Sequence, residues 1–376
     1  MTTASIALDH RGVSPDAHPG SKSATLGADS IAHRTPADSG QDARRRTGDD
    51  RTVATAASSF RALGTYVELR VAEVADSIDP TATARVEHLA REILAEVDAT
   101  CSRFRVDSDL TRANRAAGTW VEVSPILVGM VQAALWAAGE TDGLVDPCLG
   151  ELLVAAGYDR TFAELQSSTE PTQLPAQRDR SAWRDLHVAP GRIRVPHGSA
   201  LDLGAVGKGY AADLVALSII ERYAVPAVIS VGGDVRVAEV PGIPMSWPVR
   251  IAPDLAALGD DAVAADIDLT TGAIATSSIT ARRWVRGGTQ WHHVIDPRTA
   301  RPTGGRWRSV TALAPSCAAA NTYATAGLVL GEQAVPWFAA QGIPARLVGA
   351  DGGIVTSPAW EFGVGERDTV MGGRAC

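Results

Sequence analysis

Hydrophobic positions organise the chain from about residue 60 onward. Residues 66–71 alternate, with Val67, Leu69 and Val71 on one face, which is the period of a half-buried strand. Val86, Leu89, Ile93, Leu94 and Val97 then share one face of an amphipathic helix. Ser124-Pro125 predicts an N-cap followed by proline at the first helical position, opening a helix that runs through Trp136 to Asp142-Gly143. Short strands are predicted at 186–188 and 193–195, a helix at 208–223, and a buried strand at 227–231 that runs into Gly232-Gly233. Strands at 249–251, 267–269, 292–295 and 310–313 follow, with helices at 316–330 and 333–341. Strands and helices do not alternate regularly, which argues against a plain doubly wound parallel sheet. The expected fold is α+β, a mixed α/β arrangement with a largely antiparallel sheet. There is no internal repeat at a fixed period.

Residues 1–55 carry few large apolar side chains and no sustained period, so they read as a disordered tail ahead of one domain at 56–376. Arg44-Arg45-Arg46 is followed by Thr-Gly-Asp-Asp-Arg rather than an apolar stretch, so an export signal is not read there. The first cysteine, Cys101, lies too far along for a lipoprotein signal. A cytoplasmic location is expected.

Composition narrows the function. Hydrophobic residues are 45% and charged residues 21% of the 376, so a full core can form. A formal net charge of −8 argues against a general nucleic-acid binder. No run of about 18 apolar residues exists, so no membrane span is expected. The four cysteines form no C-x-x-C pair and read as reduced thiols. Of 35 Lys plus Arg, only Lys22 and Lys208 are lysines, and Lys22 lies in the tail. A position that stays lysine where arginine serves nearly everywhere else fits a need for a compact ammonium, or chance.

Four segments carry candidate chemistry. In Asp202-Leu203-Gly204-Ala205-Val206-Gly207-Lys208-Gly209-Tyr210-Ala211-Ala212-Asp213, glycines stand between a strand-like stretch and a helix. Such a turn can aim N–H groups and a helix N-terminus at a phosphate, with Lys208 adding charge. It can equally pack a strand against a helix, and it lacks the spacing of a Walker A loop. In Trp291-His292-His293-Val294-Ile295-Asp296-Pro297, adjacent histidines on a strand point to opposite faces, so one can serve a site as general base. Asn321 and Thr325, four apart on a predicted helix, share a face and can offer oxygens to a hard cation such as Mg2+, or can be ordinary polar residues. Gly232-Gly233-Asp234 can bring backbone against a ligand or form a hairpin turn.

Together these segments resemble the ApbE family of FAD:protein FMN transferases, collinearly over residues 60–331. The similarity runs through Ala62-Leu63-Gly64-Thr65, Ser102-Arg103-Phe104, Ser108-Asp109-Leu110 with Asn114, and Gly143-Leu144-Val145-Asp146-Pro147. It continues through the 202–213 block, Gly232-Gly233-Asp234, Thr276-Ser277, His293-Val294-Ile295-Asp296-Pro297 and residues 320–325. The resemblance implies a T-fold-like architecture with FAD in a cleft and Mg2+ at its pyrophosphate. It also implies an acceptor protein whose Ser or Thr takes FMN while AMP leaves. An FAD diphosphatase and a non-catalytic FAD-binding or storage protein are the alternatives.

By the same resemblance, His293 is the base and Asp213 orients it or shares its role. Gly204, Lys208, Gly209, Gly232, Gly233, Asp234, Thr276, Ser277 and Asp296 are expected to contact FAD. Asn321 and Thr325, with a carbonyl at Ala205, are expected to hold the metal. Three departures stand out. Asn321 replaces the family's usual Asp, which predicts weaker Mg2+ binding or dependence on the FAD phosphates. Thr276-Ser277-Ser278 lacks the S-G-x-Y continuation, and Ala300 replaces a glycine.

Overall fold

A computed structural model of the chain describes residues 5–8, 55–72, 81–172, 181–363 and 365–366. Its centre is an eight-stranded sheet. The strands are β1 (Thr55–Ala62), β2 (Thr65–Ala72), β3 (Ala227–Val231), β4 (Asp234–Ala238), β5 (Ala273–Ser278), β6 (Trp307–Ala314), β7 (Ala345–Gly349) and β8 (Ile354–Thr356). They lie side by side in chain order, each antiparallel to its neighbour. Seven helices lie in the connections: α1 (Ala82–Cys101), α2 (Asp109–Arg115), α3 (Pro125–Glu140), α4 (Gly150–Ala155), α5 (Gly207–Tyr223), α6 (Cys317–Leu330) and α7 (Ala334–Gln341). None of the described helices is long and apolar enough to cross a membrane.

Strand alternation decides what each face meets. Ala227, Ile229 and Val231 of β3, with Ala273 and Ala275 of β5, turn toward α1, α5 and α6. Val228, Val235, Val237 and Ile274 turn the other way, against Trp247, Val249, Ile251, Ile267 and Leu269 of a smaller antiparallel sheet. The largely antiparallel α+β expectation therefore holds. Ser124 caps α3 as the sequence predicts, accepting from the Leu127 N–H at 3.3 Å ahead of Pro125. Cys101, Cys148 and Cys317 are buried and form no disulfide among the described residues.

Two expectations need correction. Within the stretch read as a tail, Ser5–Leu8 pairs antiparallel with residues 249–252 of the smaller sheet. A sheet edge offers unpaired N–H and C=O groups, and four residues are too few to show a period. The rest of residues 1–54 lies outside the described residues. The strand predicted at 292–295 is also interrupted. A hairpin of Arg283–Arg286 with Thr289–His292 ends at His292, and a two-residue strand resumes at Ile295–Asp296. Between them, Val294 accepts from the Thr303 N–H at 3.1 Å.

Two glycines have structural reasons that bear on the site. Gly232 and Gly233, at φ 62° and 89°, form the two-residue hairpin loop between β3 and β4, where both positions need positive φ. Gly209 lets α5 approach α6, because a Cβ there would sit 2.6 Å from the Cys317 carbonyl oxygen.

Candidate active site

The loop that leads into α5 is braced from a distant element. Asn114 of α2 donates to the Leu201 carbonyl at 3.0 Å and accepts from the Leu201 N–H at 2.8 Å. Asp202 then accepts from the Gly204 N–H at 2.8 Å and pairs with Arg103 Nε at 2.5 Å. The Arg103 guanidinium lies over the rings of Phe104 and Tyr158, at 4.2 and 4.6 Å, and donates to the Tyr158 carbonyl at 2.7 Å.

Two cavities adjoin at this loop. One, of about 140 Å3, is lined by Val145, Leu149, Ala205, Ser277, His293, Asn321 and Thr325 among others. The other, of about 560 Å3, is lined by Leu63, Tyr66, Met130, Phe162 and Leu203 among others. Arg103, Phe104, Tyr158, Asp202, Gly204, Lys208 and Arg282 line both, so they form the waist between them.

Behind the waist runs a polar chain. Lys208, in the first turn of α5, pairs with Asp234, the first residue of β4. The same Asp234 Oδ2 accepts from Asn321 Nδ2 at 2.7 Å. That contact turns Asn321 Oδ1 toward Thr325, whose Oγ1 donates to it at 3.4 Å, and Thr325 Oγ1 lies 2.8 Å from Ser277 Oγ. Asp234 is fully buried, and its Oδ1 has no partner among the described residues. Burial raises the Asp234 carboxyl above its ordinary range, while Lys208 and Asn321 act against that rise.

His293 lines the small cavity in the break between the two short strands. Burial, reinforced by the neighbouring Arg282, His292 and Lys208, holds its imidazole well below the ordinary histidine range, and a hydrogen bond to the Arg282 main chain opposes this. It is therefore neutral near pH 7 and able to accept a proton.

The expected site residues divide into two groups. Gly204, Ala205, Lys208, Gly232, Thr276, Ser277, His293, Asn321 and Thr325 line the small cavity, and Asp234 stands directly behind them. Thr276 also bonds Thr311 across the sheet at 2.8 Å. Asp213, Gly209 and Asp296 are placed elsewhere. Asp213 accepts from the Cys317 and Ala318 N–H groups at 2.8 and 2.9 Å and pairs with Arg236 at 3.2 Å, so it caps α6. Asp296 binds Arg298 with both oxygens, each at 2.9 Å, and receives the Arg298 N–H at 2.8 Å. Gly233 sits in the hairpin turn described above.

The sequence reading missed Arg103, Tyr158 and Arg282 as site residues. Arginine is used nearly everywhere as the cation here, so one more arginine carries no signal.

The donor set can be tested against the implied Mg2+. Asn321 Oδ1, Thr325 Oγ1 and Ser277 Oγ are hard oxygen donors grouped on one side of the small cavity, which Ala205 also lines. All are neutral, and among the described residues no cluster of three or more His, Cys, Asp or Glu could hold a metal. The set fits Mg2+ as the protein part of a shell completed by ligand phosphates.

The adjacent His292 gives a pH prediction. Burial lowers its pKa from 6.5 to about 4, against a hydrogen bond to the Thr303 main chain. Below pH 6.5 the unfolded chain binds a proton there that the folded chain refuses, so stability falls as pH drops toward 4. Wild type should lose about 3 kcal/mol more than His292→Gln across that window. Urea titrations at pH 7 and pH 4.5 check this, and equal losses in the two proteins would contradict it.

Comparison with known proteins agrees with this geometry. A model of the ApbE family matches residues 63–347. The FAD:protein FMN transferase of Rhodobacter capsulatus is 34% identical over 252 residues, covering 65% of this chain and 47% of that protein. The one from Vibrio cholerae is 30% identical over 250 residues, covering 64% and 72%. The chain thus spans about half of the first relative and nearly three quarters of the second. The crystal structure of the ApbE protein of Thermotoga maritima superposes with a TM-score of 0.68 at 26% identity, over 84% of this chain and 100% of that one. A fold shared along nearly that whole structure, and a family match that spans the 202–213 block, Asp234, His293 and Asn321, lead to one conclusion: this chain belongs to the ApbE family.

Proposed function

We propose that the two cavities hold the two halves of FAD, and that the chain transfers FMN to a Ser or Thr hydroxyl of an acceptor protein with release of AMP. The observation that carries this reading is the cationic waist. FAD is two ring systems joined by a diphosphate, and the cleft is two chambers joined where Lys208, Arg282 and the start of α5 meet. Helix N-termini and cations suit phosphate. The names of the relatives support the same substrate.

The chemistry follows from the residues on the wall. As the acceptor oxygen bonds to the FMN phosphorus, its proton passes to neutral His293. The bond from that phosphorus to the bridging oxygen breaks, and AMP leaves with the electron pair. Lys208, paired with Asp234, lines both cavities and adds positive charge beside the diphosphate. Asn321, Thr325 and the Ala205 carbonyl would hold Mg2+, which would supply further neutralisation of phosphate charge.

Incubating the protein with FAD, Mg2+ and an acceptor carrying a Ser or Thr segment, then following AMP and acceptor mass, tests the proposal. The expected result is AMP together with an acceptor heavier by one FMN unit. Free FMN with AMP would replace transfer by hydrolysis, and bound intact FAD would leave a storage protein.

Asn321 sets the metal dependence. Asn321→Asp removes the N–H that Asp234 accepts and places two carboxylates together. Without Mg2+ the variant should be less stable than wild type by about 2 kcal/mol, and Mg2+ should restore it. Half-maximal activity should come at lower Mg2+. Thermal melts with and without Mg2+ check this, and an unchanged Mg2+ requirement would refute it.

A further inference from the structure

The cations at the waist are not equivalent. Lys208 is matched by Asp234 and Arg103 by Asp202, so each already faces a buried or half-buried carboxylate. Arg282 lines both cavities and is half-buried, yet its side chain makes no hydrogen bond or ion pair among the described residues. Its charge is felt by Asp234, but that carboxylate is bonded to Lys208 and Asn321 instead, and a guanidinium kept partly out of water without a hydrogen-bonded partner is costly unless something else pairs with it.

Its backbone is held firmly while its head is left free. Arg283 Nε donates to the Ile279 carbonyl at 2.7 Å and closes the turn around it. The Thr280 N–H donates to Ser278 Oγ at 3.2 Å just before. His293 and Arg282 line the same small cavity, so the candidate base and this guanidinium face one space. Across the same cavity wall, position 321 offers a neutral amide.

We propose that Arg282 is a catalytic residue that clamps the FAD diphosphate, supplying the positive charge that Asn321 leaves without a carboxylate-bound metal to provide. This rests on the FAD reading above. The planar fork can give two N–H groups to non-bridging phosphate oxygens, a geometry a lysine cannot copy. As the acceptor oxygen bonds to the FMN phosphorus, the bond to the bridging oxygen breaks. The electron pair stays on AMP and the proton goes to His293. Arg282 exchanges no atom and stabilises the charge that grows on the phosphate oxygens.

The test compares Arg282→Ala and Arg282→Lys with wild type in the full chain, reading flavin fluorescence on titration with FAD and with riboflavin, and AMP release. Arg282→Ala should bind FAD at least about tenfold more weakly and release AMP about 100- to 1,000-fold more slowly. Riboflavin, which has no phosphate, should bind within twofold of wild type, and Arg282→Lys should fall between the two. Equal weakening toward FAD and riboflavin would overturn the proposal by making the role structural. FAD affinity and AMP release within twofold of wild type would overturn it outright. Wild type that binds no FAD would instead sink the FAD reading, and this proposal with it.

Discussion

His293→Ala releases AMP from FAD about 100- to 10,000-fold more slowly than wild type, with FAD affinity changed only a few-fold. The size of the effect follows from the place of the imidazole. It lines the small cavity, burial and the neighbouring Arg282 and Lys208 cations keep it unprotonated near neutrality, and its ring Nδ1 has no partner among the described residues. No other described histidine lines either cavity. Because its pKa is lowered, the activity that depends on it should persist on acidification below pH 6.5, where a histidine with an ordinary pKa would be lost to protonation. Single-turnover AMP release, with binding measured separately, checks both statements. An unchanged rate in His293→Ala would remove its assignment as the base.

Asp213→Ala destabilises the protein by about 3 kcal/mol, and whatever folds retains FAD affinity. This opposes the expectation that Asp213 shares the work of the base. Its two oxygens satisfy the first N–H groups of α6, and its charge balances Arg236. Removing a helix-capping oxygen costs about 1 kcal/mol. Breaking a largely buried ion pair by deleting one partner costs about 3–5 kcal/mol, reduced here because Arg236 also donates to the Gly272 carbonyl at 2.7 Å. Urea denaturation of wild type, Asp213→Asn and Asp213→Ala gives the series. A stable Asp213→Ala protein that binds FAD but has lost its turnover would restore a catalytic role.

These two residues show what the sequence could and could not carry. Elements declared by local rules were legible: the Ser124-Pro125 start of α3, the alternation of β2 and the helices at α5 and α6. So was the shared face of Asn321 and Thr325, which needs only a four-residue spacing. Partnerships across the chain were not. Asp213 meets the start of α6 more than a hundred residues later, and Arg103 meets Asp202 beside the Leu201 that Asn114 holds from α2. The strand β4 was hidden because Gly232-Gly233-Asp234 looks alike as a ligand loop and as a hairpin turn. It forms the turn with Gly232 still on the cavity wall, and pairing of Val231 with Asp234 then buries the carboxylate beside Lys208. Asp296 and Gly209 stood in matching motifs, yet one holds Arg298 and the other allows α5 to approach α6. A motif records which residues occur together and leaves open which of them face the cavity.

The central claim is that the waist between the two cavities is where the FAD diphosphate lies. The most direct measurement is a crystal structure of His293→Ala soaked with FAD, read for the positions of the two phosphorus atoms. The account predicts both beside Lys208, Arg282 and the start of α5, with one ring system in each cavity. A diphosphate seated away from that waist, such as in the separate cavity lined by His187, Arg194 and His197, would contradict it.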